Sequence, residues 1–344
     1  MKQNVILEEL KIRLSKAGFF KPSTTYYAIK CTIIILSYCS FYCLALYFSE
    51  KGEYSQYLYI ILCALSATLM GGIGHDATHN VVHSNRNIND LFGIIGFSLF
   101  NGTSYRLWHN VHNQHHTFTQ IKPGSPKKCD PDLKDNAWFS SYKESGDRKT
   151  GFVRKLHKFQ GYYFPVIAIF YVFALRAEGI NFLIKNKKIL VIEILSVLVH
   201  NVLWIIIPVY YFDINTALLN YLLFTIITSL YFLLLFLPNH AGLEYVKDEQ
   251  EYPSWKDQIQ NSRNIRLRKI FDHFYCGLNF HIEHHLFPGV GVNNLRKGSK
   301  IMKEFCDEQG ITYTEVGLFD GIKAVLGNLF NIGRYLRKTK NKNV

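Results

Sequence analysis

The sequence predicts an all-α integral membrane protein with four transmembrane helices, arranged as two hairpins, and a helical cap on the cytosolic side. Apolar residues make up 48% of the 344 residues and aromatic residues 15%, which is rich for a soluble domain. The apolar residues form four long runs, and lysine and arginine are concentrated in the segments that would share one side of a membrane. These observations argue against an ordinary soluble globular fold.

The four apolar runs reach or approach the roughly 20 residues that cross about 30 Å of hydrocarbon as a helix. The predicted transmembrane segments are about 26–48, 57–73, 189–212 and 214–237. The predicted cytosolic regions are 1–25, 74–188 and 238–344, and the whole chain is expected to form one membrane-bound domain. Two other apolar runs, 91–100 and 162–175, are too short to span comfortably. We expect them to lie in the membrane interface or within the protein.

The formal charge of +13 is distributed as expected for a membrane protein rather than for a nucleic-acid-binding protein. Basic residues crowd the N-terminal region, the segment between the second and third spans, and the C-terminal region. The connections at about 49–56 and around Asp213 hold a single basic residue, Lys51. We therefore predict that both termini are cytosolic and that no nucleic acid is bound.

Histidine clustering is the main functional signal in the sequence. Seven of the 14 histidines fall between His75 and His116, and four more fall between His273 and His285. The first group begins with an H-x-x-x-H spacing, His75 and His79, which places two imidazoles one turn apart on one face of a helix.

Two further groups share the pattern H-x-x-H-H. Their members are His112, His115 and His116, and His281, His284 and His285. Positions i, i+3 and i+4 of a helix converge, so each group can offer three nitrogens to one metal site. All three groups, here called boxes, are predicted to lie on the cytosolic side beyond the ends of the second and fourth spans. His240 directly follows the fourth span and reaches the same side.

Nine neutral imidazoles are more than one zinc ion uses, because structural zinc is typically four-coordinate and catalytic zinc usually has three protein ligands. The number therefore favours two metal ions. Imidazole suits iron, zinc, copper and nickel, so ligand type alone leaves the metal open. A pair of irons that activates dioxygen would account for so many neutral ligands near a membrane. Soluble di-iron bundles instead use glutamates and E-x-x-H spacings, and this sequence contains no E-x-x-H.

The motifs H-D-x-x-H, W-x-x-x-H-N-x-H-H-T and G-L-N-x-x-I-E-H-H-L-F-P, in this order, resemble those of the membrane fatty acid desaturase family. The resemblance extends over nearly the whole chain, including Asp130-Pro131-Asp132-Leu133 and Gly310-Ile311-Thr312-Tyr313. It implies a non-haem di-iron centre. The implied ligands are His75, His79, His112, His115, His116, His240, His281, His284 and His285.

The resemblance also implies the reaction, which introduces a C=C bond into a fatty acyl chain with dioxygen as co-substrate. The acyl substrate could be an acyl-lipid, an acyl-CoA or an acyl-carrier protein, and membrane lipids are expected partners. The third box is closest to the front-end branch, whose members usually have Gln at the position of His281. No H-P-G-G haem motif of a fused cytochrome b5 domain occurs. We therefore expect an external electron donor of the ferredoxin or cytochrome b5 type.

Two alternative functions use the same histidines. Transfer of a hydroxyl group would make the chain an acyl hydroxylase, and a second round on an alkene would make it an acetylenase. A non-enzymatic metal carrier or bis-histidine haem protein would also bind through imidazoles, but its histidines should lie within opposing spans.

Six further residues are candidates for supporting roles. The acids Asp76, Glu283, Asp130 and Asp132 are expected either to fix imidazole tautomers or to be solvated. His200 and Asn201 lie within the third predicted span, where polar side chains are costly unless they face the bundle interior. They could line an acyl tunnel or make a helix-to-helix hydrogen bond. Of the remaining histidines, His83 and His109 are expected to have ordinary polar roles, and His157 and His273 to face solvent.

Overall fold

A computed structural model describes residues 2–124, 128–186, 191–246 and 251–339. The α-helices are Lys2–Lys16 (α1), Thr24–Glu50 (α2), Ser55–Thr78 (α3), Arg86–Gly93 (α4), Tyr105–Phe118 (α5), Lys143–Asp147 (α6), Gly151–His157 (α7), Gln160–Ala168 (α8), Tyr171–Lys185 (α9), Val191–Asn201 (α10), Ile207–Tyr211 (α11), Ile214–Phe236 (α12), Trp255–Gln260 (α13), Phe271–Phe274 (α14), His281–Leu286 (α15), Val292–Glu308 (α16) and Leu318–Lys338 (α17). Residues Ile94–Leu99 and Val202–Ile206 form π-helical turns, and Pro131–Leu133 and Leu237–Asn239 form 3-10 turns. Strands β1 (Asn264–Arg266) and β2 (Glu315–Gly317) pair in parallel.

Among the described residues, four helical segments are long and apolar enough to cross a membrane, which confirms the predicted helical class with four candidate transmembrane helices. The cytosolic side of the cap stays a prediction. The four segments are Thr24–Glu50, Ser55–Thr78, Val191–Tyr211 and Ile214–Asn239. The third was predicted to start at residue 189, which lies outside the described residues. Helices α8 and α9 pass the same test only if they are counted together, which would make a fifth span.

Helix α3 continues beyond the apolar run that predicts it. The run ends near Ile73, but the helix ends at Thr78, so His75 and Asp76 lie inside the helix rather than beyond its end. Small residues allow this last part to pack closely: a Cβ atom on Gly74 would lie 2.9 Å from the Phe97 ring. Asn80, with a φ of 58°, follows in the left-handed region and marks the break in the helix.

Contacts divide the chain into two compact units. The membrane unit comprises residues 22–110 and 168–233, and the cap unit comprises residues 1–21, 111–167 and 234–344. The core of the membrane unit contains small residues of α3, including Ala64 and Ala67, which let neighbouring helices approach closely. The shorter apolar run at 91–100 lies within the protein, because Ile94 and Phe97 are buried.

The core of the cap unit holds the third box in place. Leu14 and Phe19 from the N-terminal region pack with Met302 and Phe305 of α16 and with Ile282 of α15. Helix α15 has only six residues, and it contains the third box. Because Ile282 is anchored in this apolar core, the orientation of the box is set by packing.

Candidate metal centre

Three segments of the cap unit bring seven histidines together. Helix α5 carries the second box, helix α15 carries the third, and His240 follows the 3-10 turn Leu237–Asn239. The i, i+3 and i+4 spacing on α5 and α15 places the imidazoles of each box on one side of its helix. The cap unit therefore contains most of the predicted ligands.

Four of these imidazoles converge through their Nε2 atoms. The Nε2 atom of His240 lies 3.2 Å from that of His115, 3.0 Å from that of His285 and 2.8 Å from that of His281. The Nε2 atoms of His285 and His281 are 3.1 Å apart. Nitrogens that bind one metal ion at about 2.0–2.1 Å are themselves roughly 3 Å apart, so the spacing suits a single ion. We call these four residues the four-nitrogen cluster.

Hydrogen bonds to the opposite ring nitrogens fix the tautomers of three of the four residues. The Nδ1–H of His240 donates to the Asn261 carbonyl oxygen at 2.8 Å, and that of His115 donates to Asp130 Oδ1 at 2.9 Å. The Nδ1–H of His285 donates to Gln258 Oε1 at 3.1 Å. The fourth, His281, instead contacts the Asn239 amide nitrogen through Nδ1 at 3.3 Å. In the neutral form of the first three, Nε2 is left as a lone-pair ligand.

Burial and neighbouring charges shift the pKa values of two imidazoles of the cluster in opposite directions. Burial and, to a smaller extent, the neighbouring His115 together lower the pKa of His240 to about 3. Burial also lowers the pKa of His115, but the carboxylates of Asp130 and Asp132 outweigh this effect and raise that pKa to about 9. A metal ion bound to the four nitrogens would place a positive charge near the Asp130 carboxylate, and the lone pairs of neutral imidazoles would then face a cation rather than one another.

A second group in the cap unit adjoins the first. The ligand atoms of His112, His116 and His284 lie within 4.8 Å of one another, and the Nε2 atoms of His112 and His116 are 3.1 Å apart. The ring of His116 stacks on that of His285, a member of the four-nitrogen cluster, with 4.3 Å between centroids. The cap unit thus contains two neighbouring groups of histidine nitrogens that could each hold a metal ion.

The first box lies in the membrane unit, at the C-terminal end of α3. The rings of His75 and His79 have centroids 5.2 Å apart. Nδ1 of His75 lies 3.0 Å from Asp76 Oδ1, and the Tyr27 hydroxyl donates to Asp76 Oδ2 at 2.6 Å. Asp76 therefore orients His75 and is itself held by Tyr27.

Comparison with known proteins agrees with these observations. The sequence model of the fatty acid desaturase family matches residues 54–317, more than half of the chain. The chain belongs to the fatty acid desaturase family. It is therefore an oxidoreductase of lipid metabolism that desaturates fatty acyl chains.

Three curated relatives of the desaturase share about a quarter of its residues. The Delta(8)-fatty-acid desaturase of Euglena gracilis is 26% identical over 350 residues, which are 96% of this chain and 79% of the relative. The Delta(6)-fatty-acid desaturase fat-3 of Caenorhabditis elegans is 25% identical over 96% of this chain and 75% of its own length. The Acyl-lipid (9-3)-desaturase of Physcomitrium patens is 26% identical over 92% of this chain and 61% of its own length.

The acids of the desaturase differ in what they contact. Asp130 is buried and accepts the hydrogen bond from His115. Asp132 is exposed, and its Oδ2 lies 3.4 Å from Nδ1 of His115. Glu283 is fully buried and accepts hydrogen bonds from the Tyr313 hydroxyl at 2.7 Å and from Asn264 Nδ2 at 2.8 Å. It is thus not a solvated acid, and it links the third box to β1.

The two polar residues of the third span of the desaturase make hydrogen bonds within the membrane unit. His200 is fully buried, with Nδ1 3.0 Å from the Leu99 carbonyl oxygen and Nε2 3.2 Å from the Tyr221 hydroxyl. Asn201 donates to the Val197 carbonyl of its own helix at 2.7 Å. These bonds match the helix-to-helix alternative for His200, while a role in lining an acyl tunnel stays a prediction.

The prediction for His157 of the desaturase is wrong. It is fully buried, with Nδ1 2.8 Å from the Ser140 hydroxyl and Nε2 2.9 Å from the Ala137 carbonyl oxygen. Instead of facing solvent, the side chain packs inside the cap unit. His273 is exposed, as predicted.

Two groups of the desaturase that orient ligands were missed by sequence reasoning. They are Gln258 in α13 and the main-chain carbonyl of Asn261 directly after that helix. Neither lies in a box, and a main-chain carbonyl leaves no trace in the side-chain pattern. Tyr313 belongs to the Gly310–Tyr313 motif of the resemblance, although its contact with Glu283 could not be foreseen.

Proposed function

We propose that the desaturase introduces its double bond at a non-haem di-iron centre held by nine histidines. The observation that carries the proposal is the convergence of four Nε2 atoms in the four-nitrogen cluster. The proposed ligands are His75, His79, His112, His115, His116, His240, His281, His284 and His285. The motif resemblance supports the inclusion of His75 and His79.

Bound iron would supply the dioxygen chemistry that removes hydrogen from an unactivated C–H bond, which no side-chain base can do alone. The residues of the chain orient and shield the site. Asp130, Gln258 and the Asn261 carbonyl hold imidazoles with Nε2 turned inward. Burial of His281, His284 and His285 keeps bulk water away from the ligands.

The distribution of charge and the motif resemblance support the remaining parts of the proposal. Both termini and the metal centre lie on the cytosolic side, because the basic segments flank the spans on that side. The substrate is a fatty acyl chain carried as an acyl-lipid, an acyl-CoA or an acyl-carrier protein. The electrons come from a donor of the ferredoxin or cytochrome b5 type.

The test is mass spectrometry of total fatty acids from cells that express the wild type or His285→Ala, with double bonds located by derivatisation. A new unsaturated species in the wild type alone is expected, and its structure gives the position of the double bond. A hydroxylated product would instead favour the hydroxylase alternative. Metal analysis of the purified wild type should find iron, and a metal-free or zinc-bound active enzyme would contradict the proposed centre.

A further inference from the structure

A basic cleft lies in the cap unit, and none of its lining residues belongs to a histidine box. It has a volume of about 560 Å³ and is lined by Gly151, Arg154, Lys155, Lys158, Arg337, Lys338 and Thr339. These residues come from α7, from the residue after it and from the C-terminal end of α17. None of the described residues that line the cleft is acidic.

The wall of the cleft is built by a buried arginine. Arg154 donates to the Gly146 carbonyl at 3.0 Å and, through Nη2, to the carbonyl and hydroxyl of Thr339 at 3.2 and 3.1 Å. It also lies 3.5 Å from Asp147, so its charge has a counterion. The two sides of the cleft are therefore fixed to each other, and Arg154 is a structural cation rather than a free one.

The other four cations have no carboxylate partner within 4 Å among the described residues. Lys155, Lys158 and Lys338 make no ion pair there, and Arg337 donates to the Lys158 carbonyl and lies over the Phe159 ring at 5.6 Å. The C-terminal ends of α7 and α17 both meet at the cleft, but each contributes only about half a negative elementary charge. A net positive charge remains, which suits a phosphate group.

Two exposed aromatic residues that are close in sequence to the lining residues indicate the source of such a phosphate. Phe152 is 76% exposed and Tyr162 is 69% exposed. Helix α8, which begins at Gln160, contains no charged residue. Aromatic side chains next to basic residues and an apolar helix are typical of the membrane–water interface. Inorganic phosphate or pyrophosphate would make no use of these exposed rings.

We propose that this cleft binds the headgroup of an anionic membrane phospholipid. Lys155, Lys158, Arg337 and Lys338 contact its phosphate, and Phe152 and Tyr162 lie among the upper acyl carbons. None of the cleft residues is a proposed metal ligand, and lipid binding there does not require turnover of the acyl substrate. It would tie the cap unit to the membrane surface through α7 and α17.

The test measures lipid binding to the purified full-length protein in an uncharged detergent by native mass spectrometry. The wild type should bind phosphatidylglycerol about tenfold or more tightly than phosphatidylcholine, because basic residues at a membrane surface attract anionic lipids. The triple variant Lys155→Gln, Lys158→Gln, Lys338→Gln should lose this preference. The matched control Lys16→Gln, Lys300→Gln, Lys323→Gln removes the same charge from exposed positions elsewhere and should keep it.

Two further arms separate this site from general charge effects and from soluble ligands. The variant Lys155→Arg, Lys158→Arg, Lys338→Arg should retain the preference, and Phe152→Ser should weaken lipid binding but not pyrophosphate binding. Equal loss in the test and control variants would overturn the proposal. Displacement of phosphatidylglycerol by micromolar pyrophosphate, with no effect of Phe152→Ser, would also overturn it in favour of a soluble phosphate compound.

Discussion

His240 in the cap unit and His200 in the membrane unit are both largely removed from solvent, but their second ring nitrogens face different groups. Both ring nitrogens of His200 meet oxygen atoms, the Leu99 carbonyl and the Tyr221 hydroxyl. Only one ring nitrogen of His240 meets an oxygen, and the other faces three imidazole nitrogens. Burial alone therefore does not identify a metal ligand, whereas the group facing the second nitrogen does.

The same contrast applies within the cap unit. His157 has both ring nitrogens next to oxygen atoms, at Ser140 and Ala137, and is a packing residue. His285 donates from Nδ1 to Gln258, and its Nε2 faces the Nε2 atoms of the other members of the four-nitrogen cluster. Structural histidines satisfy both nitrogens locally, while ligand histidines keep one lone pair for a metal ion.

The largest effect is expected from His240→Ala. This change removes the central nitrogen of the four-nitrogen cluster, so desaturation should be abolished and the bound metal should fall. Fatty-acid analysis of expressing cells and metal analysis of the purified variant measure both effects. His273→Ala, at an exposed position of the cap unit, is the matched control and should retain activity and metal. Full metal content in His240→Ala would remove this residue from the ligand set.

A smaller effect is expected from Asp130→Asn. The amide can still accept the Nδ1–H of His115, but the negative charge that orients and polarises the ring is lost. Loss of such a partner typically weakens metal affinity by about 10–100-fold. Competition with a chelator measures the affinity. Asp132→Asn is the matched control, because its carboxylate is exposed and lies farther from His115 at 3.4 Å; an equal loss in both variants would contradict a special role for Asp130.

His200→Leu should lower stability without changing the metal centre. The substitution leaves the Leu99 carbonyl and the Tyr221 hydroxyl without their buried partner, which costs about 1–3 kcal/mol. Thermal unfolding in detergent should show a lower midpoint, and metal analysis should show an unchanged metal content. Loss of metal with unchanged stability would reverse the distinction between His200 and His240.

The sequence predicts the spans and the boxes because both are local patterns of apolar residues and helical spacing. It does not predict Gln258 or the Asn261 carbonyl, because their contacts with imidazoles depend on where α13 packs. The burial of His157 was missed for the same reason: Gly333, far along the chain in α17, packs so closely that a Cβ atom there would lie 2.7 Å from the Lys158 carbonyl. Tertiary packing of distant segments leaves no periodic signal.

The smallest effect is expected from His83→Ala. His83 follows His79 by four residues, which on a continuous helix would place it on the ligand face. Helix α3 ends at Thr78, however, and Asn80 has a left-handed φ of 58°, so the one-turn series is broken. Instead, His83 Nδ1 accepts a hydrogen bond at 2.9 Å from the main-chain N–H of Asn85, the residue directly before α4.

Loss of this one partly exposed bond should cost about 0.5–1.5 kcal/mol. Desaturation and metal content should match the wild type, whereas His79→Ala should reduce both. The two variants differ by one helical turn in sequence, so the comparison tests the helix break at Asn80 directly. A loss of metal in His83→Ala as large as that in His79→Ala would show that sequence spacing, rather than the end of α3, decides which histidines bind metal.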